Sequence, residues 1–347
     1  MLFIRIARGL RELGSSMETG RDMMRPVMDD DRFQELLWTF AAHRVVTVAG
    51  RTGLLRALAA GACEAGDLAG ELGLDPLAVR KLLAALAALG VAVAEAGGRY
   101  RLTEALAPLF ASGEADFTAF LEHSHDLYET WGENLEAWVR GAEWVHRQRD
   151  AAGVARFGAA MLAMGAAVAR RVVAAAQAAG ARRLLDLGGG VGQYAEAFCR
   201  AHPGLEAVVV DVPEVARLGA ERLAGTDIER RIAFAAGDYI EGSCGGGFDL
   251  ALLANVVHQE PADRARALVA RAAAELIPGG RLLIVDFTVE GEPYAIPVGA
   301  LFAINMQSRG DTYPEEALRG FAEAAGLERF ARTDLGRHRA LWSAYRP

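Results

Sequence analysis

The chain has 347 residues, which is too many for one simple hydrophobic core and predicts two globular domains. Its formal net charge of -8 argues against nucleic acid as the main partner, because binding phosphates requires a basic surface. The three cysteines, Cys63, Cys199 and Cys244, lie far apart, which excludes a disulfide framework and a cysteine-based zinc site.

Residues 1–28 are expected to form a flexible N-terminal extension. Arg5, Arg8 and Arg11 interrupt the apolar core that a signal peptide requires. No later apolar run reaches the ~18 residues of a membrane-spanning helix. The sequence therefore predicts a cytoplasmic protein with no membrane partner.

From residue 29 to residue 179, apolar residues recur at three- and four-residue spacing, which predicts a mostly helical domain. Within it, residues 66–103 have the pattern of a winged helix: helix, turn, helix and a two-stranded wing turned at Gly97-Gly98. Acidic side chains outnumber basic ones over residues 54–104, so no basic face is available for DNA. An apolar second helix favours a packing or dimerisation module, with DNA binding as the lesser alternative.

Residues 180–347 change to short β-branched and leucine-rich runs that alternate with helices, which predicts a parallel α/β sheet. Pro278-Gly279-Gly280 is expected to end the helix that follows Pro261. The seven predicted strands cover residues 183–187, 207–211, 232–236, 250–256, 282–287, 329–334 and 340–345.

A glycine-rich turn follows the first of these strands, with Gly188, Gly190 and Gly192 leading into a helix. Glycine lets the backbone approach a ligand closely, and a helix N-terminus offers free N–H groups to an anion. The spacing fits both G-x-G-x-G and the dinucleotide pattern G-x-G-x-x-A, so the glycines do not choose between cofactors.

Acidic residues at the next two strand ends add information about the cofactor. Asp211 ends the second strand, where it can hold a ribose diol, although capping the helix at Pro213 is the alternative. Asp238 follows the third strand and can accept from an adenine amine, while Tyr239 or Val212 flanks the ring. A dehydrogenase needs no such acid.

These motifs resemble the class I S-adenosylmethionine-dependent O-methyltransferases, and more closely their plant-type and acetylserotonin-like group. The resemblance covers about residues 30–347 and rests on LLDLGGGVGQYAEAF, VVVDVPEV, AAGDY, DLALLANVVHQEP, PGGRLLIVDF and YPEEALRGFAEAAGL. It implies an α/β fold in which a Rossmann-like seven-stranded domain binds S-adenosylmethionine, with S-adenosylhomocysteine as the product. It also implies that the N-terminal winged-helix domain forms a homodimer and caps a small-molecule acceptor.

The resemblance implies that the glycines shape the pocket for the methionine end of the cofactor. Asp186 would take the methionine amino group directly or through water, with strand-end hydrogen bonding as the alternative. No metal is expected, because the isolated acidic residues form no evident cluster for a divalent cation. The predicted cofactor-binding residues are Asp186, Gly188, Gly190, Gly192, Asp211, Val212, Gly237, Asp238, Tyr239 and Asn255.

His258 follows an apolar strand and is expected at the carboxyl edge of the sheet, where open α/β folds bind ligands. The resemblance implies that it is the general base that removes a hydroxyl proton. Shaping the pocket or capping the next helix are the alternatives. The family often has Asp-Trp after this histidine, whereas this chain has Gln259-Glu260. The resemblance also implies two acidic residues beside this histidine, of which Asp286 matches the first, while the second falls at Thr312, next to Asp311. Asp286 is therefore the candidate that orients His258, with a plain strand-end acid as the alternative, and Asp311 is the second candidate.

The acceptor is predicted to contact aromatic, polar and methionine side chains from both domains, although core packing is the alternative for each. The candidates are His125, Tyr128, Trp131, Phe302, Asn305 and Met306.

The sequence thus favours methyl transfer to a hydroxyl of a small, aromatic or polyketide-like acceptor. C- or N-methylation on the same fold is an alternative, as is a cofactor-sensing winged-helix regulator without enzymatic activity. Oxidoreduction with NAD is disfavoured by Asp238 and Tyr239, and drift to other chemistry on the same fold is left open.

Overall fold

The computed structural model describes residues 28–111, 116–145, 150–289, 297–307, 309–336 and 338–347. Its contacts divide the chain into two compact units, Met1–His146 and Arg147–Pro347. Apart from Met28, the predicted N-terminal extension lies outside the described residues.

The first unit is mostly helical. Asp75 starts one helix by accepting a hydrogen bond from the Ala78 N–H at 2.8 Å. Gly97 and Gly98, with φ of 77° and 76°, lie between the two strands of the predicted wing. The elements are α1 (Asp30–Leu37), α2 (Thr39–Arg51), α3 (Leu54–Ala60), β1 (Cys63–Glu64), α4 (Ala65–Leu72), α5 (Pro76–Ala88), β2 (Ala92–Ala94), β3 (Arg99–Leu102) and α6 (Thr118–Val139).

This unit has its own core, in which Leu55 and Leu58 of α3 pack with Leu83 and Leu86 of α5. The small sheet has the strand order β1-β3-β2. Helix α1 contributes nothing to the core, because none of its residues is buried. Its apolar side chains are therefore exposed.

The second unit contains a seven-stranded sheet of order β6-β5-β4-β7-β8-β10-β9, which confirms the predicted Rossmann-like α/β fold. Strand β10 is antiparallel to both of its neighbours, whereas the remaining pairs are parallel. The elements are α7 (Ala151–Ala176), β4 (Arg183–Leu187), α8 (Gln193–Ala201), β5 (Glu206–Asp211), α9 (Pro213–Leu223), β6 (Ile232–Ala236), β7 (Phe248–Ala254), α10 (Ala262–Glu275), β8 (Leu276–Phe287), α11 (Val298–Met306), α12 (Glu315–Ala324), β9 (Glu328–Gly336) and β10 (Arg339–Tyr345).

Helix α7 belongs to the second unit, although the sequence analysis places it in the helical domain of residues 29–179. Val168 and Val172 of α7 are buried in the same cluster as Leu184 of β4. Helical periodicity shows which face of a helix is apolar and does not show what covers that face.

The predicted helix end at Pro278-Gly279-Gly280 is wrong. Helix α10 ends at Glu275, and β8 begins at the next residue, Leu276, which pairs with Phe248. The pairing with β7 then shifts register across these residues. The Gly279 N–H donates to the Arg346 carbonyl at 2.8 Å, so the Pro-Gly-Gly sequence forms an irregularity within a strand.

Within the described ranges, no single helix is both long and apolar enough to cross a membrane. Helix α7 is bent by 51° between Ala151–Ala166 and Val168–Ala176, and only the two parts together meet that criterion, by length and composition alone.

Candidate active site

The turn after β4 has backbone conformations that favour glycine. Gly188, Gly190 and Gly192 have φ values of 68°, 62° and 81°. A Cβ on Gly188 would lie 2.6 Å from Val256 Cγ2, and a Cβ on Gly192 would lie 2.8 Å from Phe234 Cζ. Larger residues therefore fit poorly here, and Gly188 and Gly190 are partly exposed whereas Gly192 is buried.

Asp211, at the end of β5, fixes this turn. Its Oδ2 accepts from the Gly190 N–H and its Oδ1 from the Val212 N–H, each at 2.8 Å. Burial raises the pKa of Asp211, and the two amides offset part of that effect. Helix α9 has no side-chain cap, so the alternative in which Asp211 caps this helix is not observed. Val212, which precedes α9, is 44% exposed.

Asp186 lies behind the glycine turn, fully buried in β4. The Ala195 backbone N–H, in α8, approaches this carboxylate and opposes the rise of its pKa, and the described residues offer its oxygens no closer hydrogen bond. Burial, together with the negative charge of Asp211, raises the pKa of Asp186 to about 7. A Cβ on Gly189 would lie 2.6 Å from Asp186 Cγ, so the turn covers this carboxyl group. Direct contact between Asp186 and a ligand would require the turn to move.

The predicted adenine-side residues follow β6. The Gly237 N–H donates to the Asp211 carbonyl at 3.0 Å, which joins this segment to β5. Asp238 is exposed, and its Oδ1 accepts from the Ile240 N–H at 2.7 Å, which lowers the pKa of Asp238. Tyr239 is half-buried and its hydroxyl donates to Glu260 Oε1 at 2.5 Å. Its polar atom therefore points to the turn that carries His258.

Asn255, after β7, has a left-handed backbone with φ of 55°. Its side-chain amide donates to the Tyr194 hydroxyl, and its side-chain carbonyl accepts from Arg339 Nε, both at 3.1 Å. Tyr194 and Arg339 are buried, and burial raises the pKa of Tyr194. The side chain of Asn255 is thus held inside the protein, between α8 and β10.

His258 and Asp286 form a buried pair at the carboxyl ends of β7 and β8, as the resemblance implies. His258 Nδ1 lies 2.6 Å from Asp286 Oδ1, and the His258 backbone N–H donates to Asp286 Oδ2 at 3.2 Å. The Phe287 N–H donates to Oδ1 at 2.8 Å, which fixes the carboxylate in turn. Because a carboxylate accepts, Nδ1 carries the proton and the lone pair is left on Nε2. No described residue is hydrogen-bonded to Nε2.

Two phenylalanines adjoin the His258 ring. Phe302 of α11 meets it edge-on with 4.9 Å between centroids, and Phe287 stacks on Phe302 at 4.1 Å. Asn305 and Met306, at the end of α11, are half-buried, and the Gln307 side chain donates to the Asn305 carbonyl. Three residues of α11 are predicted to contact the acceptor, and among the described contacts Phe302 is the one of them that adjoins the His258 ring.

Among the described contacts, none joins the Asp311 side chain to the His258 ring. Its side chain is exposed and makes no hydrogen bond or ion pair with the described residues. Its neighbour Gly310 packs on the backbone of His258, where an added Cβ would lie 2.0 Å from the His258 carbonyl oxygen. The contact in this region is therefore made by backbone, and a catalytic role of Asp311 stays a prediction.

The predicted acceptor residues of the first unit lie on α6. Arg44 approaches Nδ1 of His125 at 2.6 Å and Arg51 approaches Nε2 at 2.8 Å, although a neutral imidazole accepts at only one nitrogen. Tyr128 is 38% exposed and stacks on His43. Trp131 lines an open, largely apolar groove along α6.

No three histidine, cysteine, aspartate or glutamate side chains among the described residues lie together as a metal would require. The expectation of no metal stays a prediction.

Sequence reasoning overlooked Tyr194, Phe287 and Arg339. Tyr194 follows the glycine turn directly, which is a signal that draws attention to it. Phe287 is adjacent to the candidate Asp286 and was identifiable on that ground. Arg339 is 84 positions from its partner Asn255, and nothing in the sequence indicates their contact.

Comparison with known proteins agrees with this architecture. A family model of the O-methyltransferase domain matches residues 123–328. The 3-hydroxy-5-methyl-1-naphthoate 3-O-methyltransferase of Streptomyces sahachiroi is 30% identical over 277 residues, which are 76% of this chain and 79% of that protein. Acetylserotonin O-methyltransferase of Gallus gallus is 25% identical over 296 residues, 80% of this chain and 84% of that protein.

A solved structure of human N-acetylserotonin methyltransferase in complex with SAM superposes with a TM-score of 0.80 at 22% identity. It covers 93% of this chain and 99% of that chain, which supports the fold. The chain belongs to the O-methyltransferase family, and it is an enzyme of that class.

Proposed function

We propose that the enzyme uses S-adenosylmethionine and that the glycine turn, Asp211 and Asp238 hold it. The left-handed glycines leave no side chain between the turn and a ligand. Each oxygen of Asp211 accepts one amide N–H and keeps a lone pair for a ribose hydroxyl. When bound, S-adenosylmethionine supplies an electrophilic methyl group on its sulfonium.

His258 is the proposed general base, and the 2.6 Å contact between its Nδ1 and Asp286 carries this proposal. Asp286 holds the proton on Nδ1, so Nε2 is the basic nitrogen. Nε2 takes the proton of the acceptor hydroxyl, which makes the acceptor oxygen a stronger nucleophile. Asp286 then stabilises the imidazolium that forms.

The proposed acceptor is a small, flat aromatic or polyketide-like compound with a hydroxyl group. Phe287 and Phe302 provide ring surfaces beside His258, which suits an aromatic acceptor. The names of two relatives also support an aromatic acceptor. They are the naphthoate methyltransferase and a 3-amino-4-hydroxybenzoate 4-O-methyltransferase from Streptomyces cremeus, which is 27% identical over 316 residues.

Calorimetric titration tests the cofactor. We expect S-adenosylmethionine and S-adenosylhomocysteine to bind and NAD to give no signal. Asp211→Asn should weaken binding of S-adenosylhomocysteine at least ~10-fold, because a neutral amide accepts more weakly from the ribose diol. Asp249→Asn is the matched control, since Asp249 also accepts from backbone amides, those of Arg182 and Arg183. Absence of binding of either sulfur ligand to the wild type would overturn the proposal.

Methyl transfer to 3-hydroxy-5-methyl-1-naphthoate and 3-amino-4-hydroxybenzoate tests the acceptor class, with mass spectrometry and NMR of the products. An O-methyl product that His258→Ala fails to form supports the base. A C- or N-methyl product formed equally well by His258→Ala would favour the alternative chemistry.

We further propose that the first unit forms a homodimer through α1 and the start of α2. Large apolar side chains at this surface are about half exposed or more, and α1 buries no residue of its own. A second copy of the same helix covers such a patch symmetrically. Light scattering should give a dimer mass that Leu37→Glu reduces to a monomer. The exposed apolar residues are Phe33, Leu36, Leu37, Trp38 and Phe40.

A further inference from the structure

Glu260 lies just beyond the short helical turn Val257–Gln259 that carries His258, and its side chain is bound on both sides. Tyr239 donates its hydroxyl to Oε1 at 2.5 Å, and Arg264 donates Nε–H to Oε2 at 2.6 Å. Glu260 as a residue is only 9% exposed, so these contacts largely take the place of water. The family resemblance offers no role for a glutamate here, because other members often have tryptophan.

Residues from other segments also contact the backbone of the turn Val257–Gln259 and of Glu260. Tyr313 donates its hydroxyl to the Glu260 carbonyl at 2.6 Å. Gly310 lies against the His258 carbonyl with no space for a side chain. Asp286 holds the ring and the backbone N–H of His258, and these outside contacts fix the rest of the turn.

Tyr239 connects this turn to the other side of the candidate site. It is adjacent to Asp238, the residue proposed to contact the adenine. The Asp238 carbonyl accepts from Arg271 of α10, which limits how far this segment moves. The contact between Tyr239 and Glu260 therefore joins the adenine-side segment directly to the turn of the base.

The contact is unlike an ordinary surface hydrogen bond. Burial and the carboxylate of Glu260 raise the pKa of Tyr239, so its hydroxyl keeps its proton and donates it to a charged acceptor. Loss of the hydroxyl leaves the partially buried carboxylate with one partner fewer.

We propose that Glu260 is a positioning residue that ties His258 to Tyr239, so that the adenine-side segment and the base are aligned together. This inference rests on the proposed function. It assigns Glu260 no contact with the acceptor or the transferred methyl group.

The test follows the His258 ring by NMR of protein labelled with 15N-histidine, with the His258 resonances assigned by their loss in His258→Gln. In the wild type we expect a single Nδ1–H tautomer, and a shift of its resonances when S-adenosylhomocysteine is added. In Tyr239→Phe that shift should fall at least twofold, and the affinity for S-adenosylhomocysteine should fall about threefold or more. Glu260→Gln should resemble Tyr239→Phe, because a neutral amide accepts more weakly than a carboxylate from the Tyr239 hydroxyl.

Tyr345→Phe is the matched control. It also removes a hydroxyl bonded to an arginine, Arg281 Nη1 at 3.2 Å. Arg281 lies at the end of the pairing between β8 and β10 that is far from Asp286. It should leave the His258 resonances and the affinity unchanged.

If Tyr239→Phe and Glu260→Gln lower only the melting temperature and leave the His258 resonances as in the wild type, the inference is wrong and the contact only stabilises the fold. Failure of the wild type to bind S-adenosylhomocysteine would instead overturn the proposed function, and with it this inference.

Discussion

The two sides of the candidate site are built from different parts of the chain. Beside β4 and β5, left-handed glycines and backbone amides bound to Asp211 form the surface. Beside β7 and β8, the site consists of the side chains of His258, Asp286 and Phe302. An added carbon therefore disrupts the first region, whereas loss of a polar atom disrupts the second.

The largest expected effect is in the side-chain region. His258→Ala should lower the rate of methyl transfer by about 10²–10⁴-fold, because no other group takes the proton. Asp286→Asn should lower it by at least about tenfold through loss of the tautomer and of imidazolium stabilisation. Initial rates at saturating S-adenosylmethionine measure both, with Asp249→Asn as the control. A His258→Ala rate close to that of the wild type would exclude the base role.

The pH dependence of the free energy of unfolding tests the protonation of Asp186, the buried acid beside the glycine turn. The pKa of Asp186 is raised from 3.8 to about 7, so between these values the folded protein holds a proton that the unfolded chain has lost. Stability should therefore fall as pH rises from about 4 to 7, by at most about 1.4 kcal/mol per pH unit from this group.

Asp186→Asn should remove this contribution. Urea unfolding of both proteins at pH 5, 6, 7 and 8 measures the difference between them, which should increase in favour of the variant as pH rises. A constant difference would show that Asp186 keeps one protonation state throughout.

The next largest effect is the loss of stability expected when a methyl group is added to the glycine turn. Gly192→Ala places a Cβ against Phe234 and should destabilise the protein by about 1–3 kcal/mol, in addition to the cost of its left-handed backbone. Gly225→Ala carries only the backbone cost, because φ is 75° and no atom lies within 4 Å. Urea unfolding compares the two, and combining Gly192→Ala with Phe234→Leu should recover part of the loss. Equal destabilisation by both alanines would contradict the steric argument.

The smallest expected effect follows a substitution that changes the shape of a side chain and removes no polar atom. Phe302→Leu removes the edge-on contact with His258 and the stack with Phe287, which together contribute about 1 kcal/mol to stability. We expect methyl transfer to persist, with a KM for the aromatic acceptor raised a few-fold. A complete loss of activity would mean that the ring also fixes His258.

Local sequence signals predicted most of the sheet. Strands such as Arg183–Leu187 and Ile232–Ala236 are short apolar runs bounded by turn residues, and they form with the predicted bounds. Pro278-Gly279-Gly280 failed because the same residues suit a helix end and a strand irregularity. Helix α7 packs in one core with the sheet of the second unit, which the sequence does not reveal because an alanine-rich helix does not specify its neighbour.

For the candidate site, too, the sequence indicates local elements and does not specify which distant residues meet. The glycine turn and His258 come soon after strands and Asp211 ends one, so the carboxyl edge of the sheet was a sound expectation for them. The contacts from Tyr239 to Glu260 and from Arg339 to Asn255 link distant segments, and they depend on side-chain orientations that a single sequence does not specify.

The insertion of β10 between β8 and β9 has a consequence for biosynthesis. On the ribosome, β9 emerges before β10, which is its strand partner among the described residues and separates it from β8. Until β10 is translated, the edge of β8 stays open and offers unpaired backbone groups to other chains. The nascent protein therefore keeps an edge open to aggregation until β10, with the buried Trp342, takes its place in the sheet.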